Sequence, residues 1–160
     1  PASTLGSMVD RAHTDTVMSF VEAGKREARL VCGGERVSLN GSDAFVQPTI
    51  FLGARPEARI VREEIFGPVL SIQTFQDEEE AVAMANDSVY GLAASVWTRD
   101  LTRALSLSDQ LNAGTVSVNT VDALSAMTPF GGIKQSGFGR DLSIHSFDKY
   151  SALKTVWIKY

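Results

Sequence analysis

The chain has 160 residues, of which 44% are apolar and 21% charged, with a formal net charge of −4. That length and balance suit one ordinary globular domain with a sizeable core. Acidic and basic residues are interspersed without a polybasic tract, so neither nucleic acid nor an anionic membrane is expected as a partner. No apolar run approaches membrane-spanning length, no charged-then-apolar signal segment opens the sequence, and the single cysteine excludes an internal disulfide. A cytoplasmic location is the expectation.

Residues 7–28 read as a helix, because Met8, Val9, Ala12, Val17, Phe20, Val21 and Ala28 fall near a 3.6-residue stripe, with Gly24 a weak point. A short apolar strand over 29–32 follows, then a turn-rich excursion over 33–43. Residues 45–52 read as a strand in which Pro48 argues for an edge or irregular position, and 53–60 as loop. The run Glu63-Glu64-Ile65-Phe66-Gly67-Pro68-Val69 predicts a sharp turn feeding a buried strand, with Gly67 free to take backbone angles closed to other residues and Pro68 fixing φ. A carboxylate and a ring held at such a turn can orient a polar ligand; the plainer reading is a loop glutamate beside an ordinary core phenylalanine.

Beyond it the pattern alternates. Residues 69–75 form a strand, and Asp77 caps a helix through about residue 85 whose first turn carries Glu78, Glu79 and Glu80 at the positive end of its dipole. A strand over 92–97, a helix over 100–111 with Leu101, Ala104, Leu105 and Leu107 as apolar surface, and a strand over 114–118 complete the series. Strands alternating with helices predict an α/β fold with parallel pairing and right-handed crossovers, and ligands outside the carboxyl ends of the strands, where Asn119 falls. The glycine-rich stretch 119–140 is too long for a simple connector. It is neither a dinucleotide fingerprint, since Leu142 stands where a third glycine belongs, nor a P-loop. A short helical segment near 145–149 and a strand over 153–160 close the chain. His13 and His145 are isolated, so no metal site is expected.

Four segments, in order, carry a family resemblance: 63–69; Asn86-Asp87-Ser88-Val89-Tyr90-Gly91-Leu92; Ala113-Gly114-Thr115-Val116-Ser117-Val118-Asn119; and Pro129-Phe130-Gly131-Gly132-Ile133-Lys134-Gln135-Ser136-Gly137-Phe138-Gly139-Arg140. The sequence resembles the NAD(P)-dependent aldehyde dehydrogenases throughout. Trp97-Thr98-Arg99-Asp100 and the ending Leu153-Lys154-Thr155-Val156-Trp157-Ile158 look most like the γ-glutamyl-γ-aminobutyraldehyde dehydrogenase group of putrescine breakdown.

The resemblance implies a fold and a set of roles. Residues 1–152 would be the C-terminal portion of the family's catalytic domain and 153–160 an oligomerisation strand, making a homo-dimer or tetramer. Glu64 would hold the hydroxyls of the nicotinamide ribose and Phe66 would pack beside the nicotinamide. Asp122 and Leu124 would face the aldehyde entrance, and Phe130 would help form the apolar box around the substrate, against the plainer reading of Leu124 and Phe130 as core residues. Many relatives carry an aromatic where Leu124 stands, which leaves a less aromatic mouth and weakens any claim for flat aromatic aldehydes. The nucleophilic cysteine, the general-base glutamate and the dinucleotide domain would lie upstream of Pro1, a start that suits an excised piece. No catalytic residue is therefore assigned here, and the isolated chain is expected neither to turn over an aldehyde nor to bind NAD or NADP tightly. Cys32, in an apolar strand without histidine or helix start nearby, reads as a packed structural thiol. Two other readings remain: a non-catalytic assembly module, and a small flavodoxin-like nucleotide-binding domain.

Overall fold

The computed structural model describes residues 5–121 and 124–160, and the chain divides into two compact units, the first ending at Gln76 and the second starting at Asp77. In the first unit, helix α1 (Arg11–Glu27) starts four residues later than its apolar stripe suggests, because the Asp10 side chain accepts the His13 amide at 2.7 Å and sets the cap there. One face of α1 buries Thr14, Val17, Phe20, Val21, Ala23 and Gly24. Gly24 is not a weak point: a Cβ there would lie 2.6 Å from the Phe51 ring, so the glycine lets that ring pack against the helix.

Strands β1 (Arg29–Cys32), β2 (Arg36–Leu39), β3 (Ser42–Val46) and β4 (Thr49–Leu52) follow, then the short α2 (Arg59–Arg62) and β5 (Val69–Ile72). The turn-rich excursion is a hairpin: β2 and β3 pair antiparallel around Asn40-Gly41, both at positive φ, the combination that suits tight hairpin turns. The single strand expected over 45–52 is two, broken at Gln47-Pro48, where proline cannot donate to a ladder. The three-stranded sheet runs β1-β4-β5, with β1 antiparallel to β4 and β4 parallel to β5. Parallel pairing is thus joined by antiparallel pairs that the α/β alternation did not foretell. The core gathers Val17, Phe20, Val21, Val46, Phe51, Ile60 and Ile65. β5 is not a buried strand: Leu70 and Ile72 stand exposed on its second face. Arg36 hydrogen-bonds Asp15 on α1 and lies 3.5 Å from Asp43 on β3, and the bond to Asp15 raises its guanidinium further above the usual arginine value.

The second unit is a βαβ crossover preceded by a helix. α3 (Glu78–Asn86) is capped by Asp77, whose carboxylate accepts the Glu80 amide at 2.9 Å. β6 (Ala93–Val96) and β7 (Thr115–Val118) pair in parallel, Ala93 opposite Thr115 and Ser95 opposite Ser117, joined by α4 (Leu101–Gln110) with Asp100 as its cap. α4 buries only Ala104; Leu101 and Leu105, expected as packing surface, are exposed in this chain by itself. Two 3-10 turns follow, Lys134–Ser136 and Ile144–Lys149. Residues 153–160 form no strand here: a strand exists through its ladder partner, and these residues lie exposed with no ladder partner among the described residues. Among the described residues, no helix is long and apolar enough to cross a membrane, and no three His, Cys, Asp or Glu side chains are grouped to hold a metal ion.

Candidate functional site

In the first unit the turn between α2 and β5 sorts its side chains by direction. Glu63 ends α2 with its amide on the Arg59 carbonyl and its carboxylate 3.3 Å from Arg59 Nε. The Arg59 guanidinium itself stacks 3.8 Å from the Phe20 ring centroid, so Glu63 serves the helix end. Glu64 is exposed, and its carboxylate has no partner among the described residues. Ile65 drops into the core at 9% exposure and fastens the turn. Phe66 then turns outward, 76% exposed, with φ at +53°. The left-handed region costs a residue bearing a Cβ about 1–2 kcal/mol, and the ring gains no burial in exchange.

The positive φ therefore falls on Phe66 and not on Gly67. Gly67 is needed for a different reason: a Cβ there would sit 2.8 Å from both methyl groups of Val17, so it lets the turn lie against α1. The Pro68 carbonyl accepts the Thr49 amide at 2.8 Å and starts the parallel β4–β5 pairing. From α1, His13 Nε2–H donates to the Phe66 carbonyl oxygen at 2.8 Å, and the two rings meet edge-on with centroids 6.3 Å apart. The structure thus places Glu64 and Phe66 two residues apart at one turn, an exposed carboxylate without a partner among the described residues and an exposed ring. An outward carboxylate without a competing cation suits a diol, whose hydroxyls both donate, and an exposed ring beside it suits a flat heterocycle. The sequence reading missed His13, for its partner lies 53 residues away and an isolated histidine carries no local signal.

In the second unit the motif segments hold one another. Asn86 donates through Nδ2 to the Gln110 carbonyl at 2.8 Å and accepts the Asn112 amide at 2.7 Å, tying the end of α3 to the end of α4. Lys134 Nζ donates to the carbonyls of Asn86 and Ser88 at 3.0 and 2.9 Å. The Gln135 amide reaches Val89, the Ser136 hydroxyl accepts the Gly91 amide, and the amides of Gly114 and Ile133 share the Gly91 carbonyl. A Cβ on Gly114 would lie 1.8 Å from the Gly131 carbonyl oxygen, so the strand entering β7 and the glycine loop touch backbone to backbone. Asn119 closes a reciprocal pair of bonds with Thr98 at 2.9 and 2.8 Å. Arg140 is spent on the Gly132 and Gly139 carbonyls, and Asp141 on a backbone bridge to Phe130 and an ion pair with Lys149.

One face of the β6–β7 pair, bearing Ser95, Thr115 and Ser117, forms the wall of a cavity of about 200 Å³ that Val121, Leu124 and Phe130 close from the loop. Leu124, 54% exposed, and Phe130, partly buried, therefore share one small cavity. Asp122 lies outside the described residues. The hydroxyl wall escaped the sequence reading, although strict alternation along two paired strands places those positions on one face. The Thr115 hydroxyl oxygen is buried without a hydrogen-bond partner among the described residues. Cys32 is not a packed thiol: it is exposed on β1, its sulfur 4.0 Å from the Pro48 carbonyl.

The model of the aldehyde dehydrogenase family matches residues 1–156. The chain belongs to the aldehyde dehydrogenase family. It is 49% identical over 158 residues to the NADP/NAD-dependent aldehyde dehydrogenase PuuC of Escherichia coli (strain K12), covering 99% of this chain and 31% of that protein. It is 46% identical to the aminoacetaldehyde dehydrogenase of Pseudomonas aeruginosa, over 99% of this chain and 32% of that protein. Among solved structures, an indole-3-acetaldehyde dehydrogenase of P. syringae in complex with NAD+ and IAA superposes with a TM-score of 0.94 at 50% identity, over 100% of this chain and 32% of that one. A γ-glutamyl-γ-aminobutyraldehyde dehydrogenase of Burkholderia cenocepacia J2315 gives 0.91 at 51% identity, over 94% of this chain and 31% of that one. The chain spans about a third of the length of these relatives.

Proposed function

We propose that this aldehyde dehydrogenase family chain is the C-terminal portion of the catalytic domain of a larger cytoplasmic enzyme, which oxidises an aliphatic aldehyde to its carboxylic acid with NAD or NADP. The single observation that carries this reading is the turn at 63–68. It holds backbone strain at Phe66 and leaves Glu64 without a partner among the described residues, both exposed, with Ile65 and Gly67 committed to fixing their place. In this reading Glu64 accepts from the nicotinamide-ribose hydroxyls and Phe66 lies against the nicotinamide end. The cofactor supplies the hydride acceptor; these residues supply its position. Leu124 and Phe130, with Asp122, form part of the aldehyde tunnel, and the nucleophile and general base come from outside these 160 residues. The names of relatives acting on γ-glutamyl-γ-aminobutyraldehyde and aminoacetaldehyde support a nitrogen-bearing aliphatic aldehyde, and the aliphatic Leu124 at the cavity suits one.

Residues 153–160 act in this reading as an oligomerisation strand within a homo-dimer or tetramer. Trp157 at 92% exposure and Val156 and Ile158 near 70% are β-prone apolar residues in sequence, a segment suited to add as a strand to another sheet's edge. The same exposed apolar segment favours, as a second reading, a non-catalytic assembly module derived from this fold.

The test is Glu64→Gln in the complete dehydrogenase. The amide keeps the shape and weakens acceptance from a diol. Single-turnover hydride transfer should slow by up to about a hundredfold, more than cofactor affinity falls, because misplacement of the reacting carbon acts on the chemical step. An unchanged single-turnover rate contradicts the assignment.

A further inference from the structure

We propose that His13 is a positioning residue for the Glu64–Phe66 turn, holding the Phe66 carbonyl oxygen, and with it the outward ring and neighbouring carboxylate, through its Nε2–H. The inference rests on the reading of Glu64 and Phe66 as cofactor residues. It adds a group on a different element, distant in sequence, that reaches the cofactor only through this turn.

His13 is itself fixed before it reaches Phe66. Its amide donates to the Asp10 carboxylate at 2.7 Å, and the next residue, Thr14, is fully buried with its hydroxyl on the Asp10 carbonyl at 2.7 Å. One turn along the same face stands Val17, the residue that Gly67 lies against. α1 thus meets the turn with a polar handle at His13 and an apolar wall at Val17, four residues apart. The wall sets how near the turn lies. The handle sets the orientation of the peptide that follows Phe66, at 2.8 Å, and so the backbone that aims the ring. A carbonyl oxygen only accepts, so the proton must be on Nε2. Edge-on contact between the two rings adds shape to the same pairing.

This geometry separates three substitutions by chemistry. His13→Phe keeps a ring for the edge contact and has no donor. His13→Asn places an amide N–H near the position of Nδ1, too short for Phe66. His13→Gln extends an amide N–H to about the position of Nε2.

The experiment compares these variants with Glu64→Gln in the complete dehydrogenase, reading single-turnover hydride transfer, KM for NAD(P) and thermal midpoint. His13→Phe and His13→Asn should slow hydride transfer by about tenfold with KM and midpoint little changed, and His13→Gln should recover most of the rate, as expected for a defect of orientation. A purely structural histidine would lower the midpoint and leave the rate of the folded fraction alone, and that result overturns the proposal. So does failure of His13→Gln to recover the rate while Glu64→Gln remains slow, which leaves the reading of the turn intact. Normal rates in Glu64→Gln and in every His13 variant overturn that reading and the proposal with it. If His13→Phe does not fold, the contrast between His13→Gln and His13→Asn decides.

Discussion

The turn at 63–68 and the loop at 131–140 use similar residues to opposite ends. Both are glycine-bearing segments flanked by charge, both hold a non-glycine residue at positive φ (Phe66 at +53° and Lys134 at +55°), and both follow a family signature. In the loop the polar groups turn inward to backbone: Lys134 to Asn86 and Ser88, Ser136 to Gly91, Arg140 to Gly132 and Gly139. Its strain is repaid by hydrogen bonds that close the second unit on itself. At the turn the apolar residue Ile65 goes inward, and Glu64 and Phe66 are left exposed, with no partner for the carboxylate among the described residues. The lesson is that the strained residue whose side chain is committed to backbone is scaffold, and the one whose side chain is left mostly exposed is the candidate for binding.

Substitutions can break this contrast. The largest effect is expected at Gly114→Ala, whose Cβ would press on the Gly131 backbone oxygen; displacing backbone on both sides should cost about 3 kcal/mol or more, measured by urea unfolding. Next comes Lys134→Met, which keeps the stem and removes two charge-assisted bonds at an exposed site; a loss of about 1.5 kcal/mol is expected from the same measurement. Smallest is Phe66→Gly. Truncating a core phenylalanine costs about 3–5 kcal/mol, but here relief of the positive φ offsets the glycine's lost chain entropy, and stability should change by less than about 1 kcal/mol. A large loss at Phe66→Gly would make the ring a structural residue and erase the distinction between the two segments.

Much of this contrast was hidden in the sequence. The cap at Asp77 was legible, its carboxylate accepting an amide three residues on, because capping is local chemistry; Asp100, read as the first residue of its helix, caps α4 in the same way. The parallel β6–α4–β7 unit was legible for the same reason, strand and helix periods being local. What depends on a distant neighbour was not. Gly67 looked like the residue needing unusual angles, yet Val17 is what requires it, and the unusual angle sits on Phe66. Pro48 correctly marked an irregularity but not that β4 beyond it would become the central strand, paired on both sides. Asn40-Gly41 announced a hairpin that the surrounding polar residues obscured. At the site, Glu64 and Phe66 stood out through the family motif, Leu124 and Phe130 were named without their shared cavity, and His13 was invisible.

The most direct measurement is a crystal structure of the complete dehydrogenase with NAD(P) bound. The account predicts the Glu64 carboxylate within hydrogen-bonding distance of the nicotinamide-ribose hydroxyls, with Phe66 still at positive φ and its carbonyl still on His13. A nicotinamide ribose held by other residues, with Glu64 facing solvent, would contradict it.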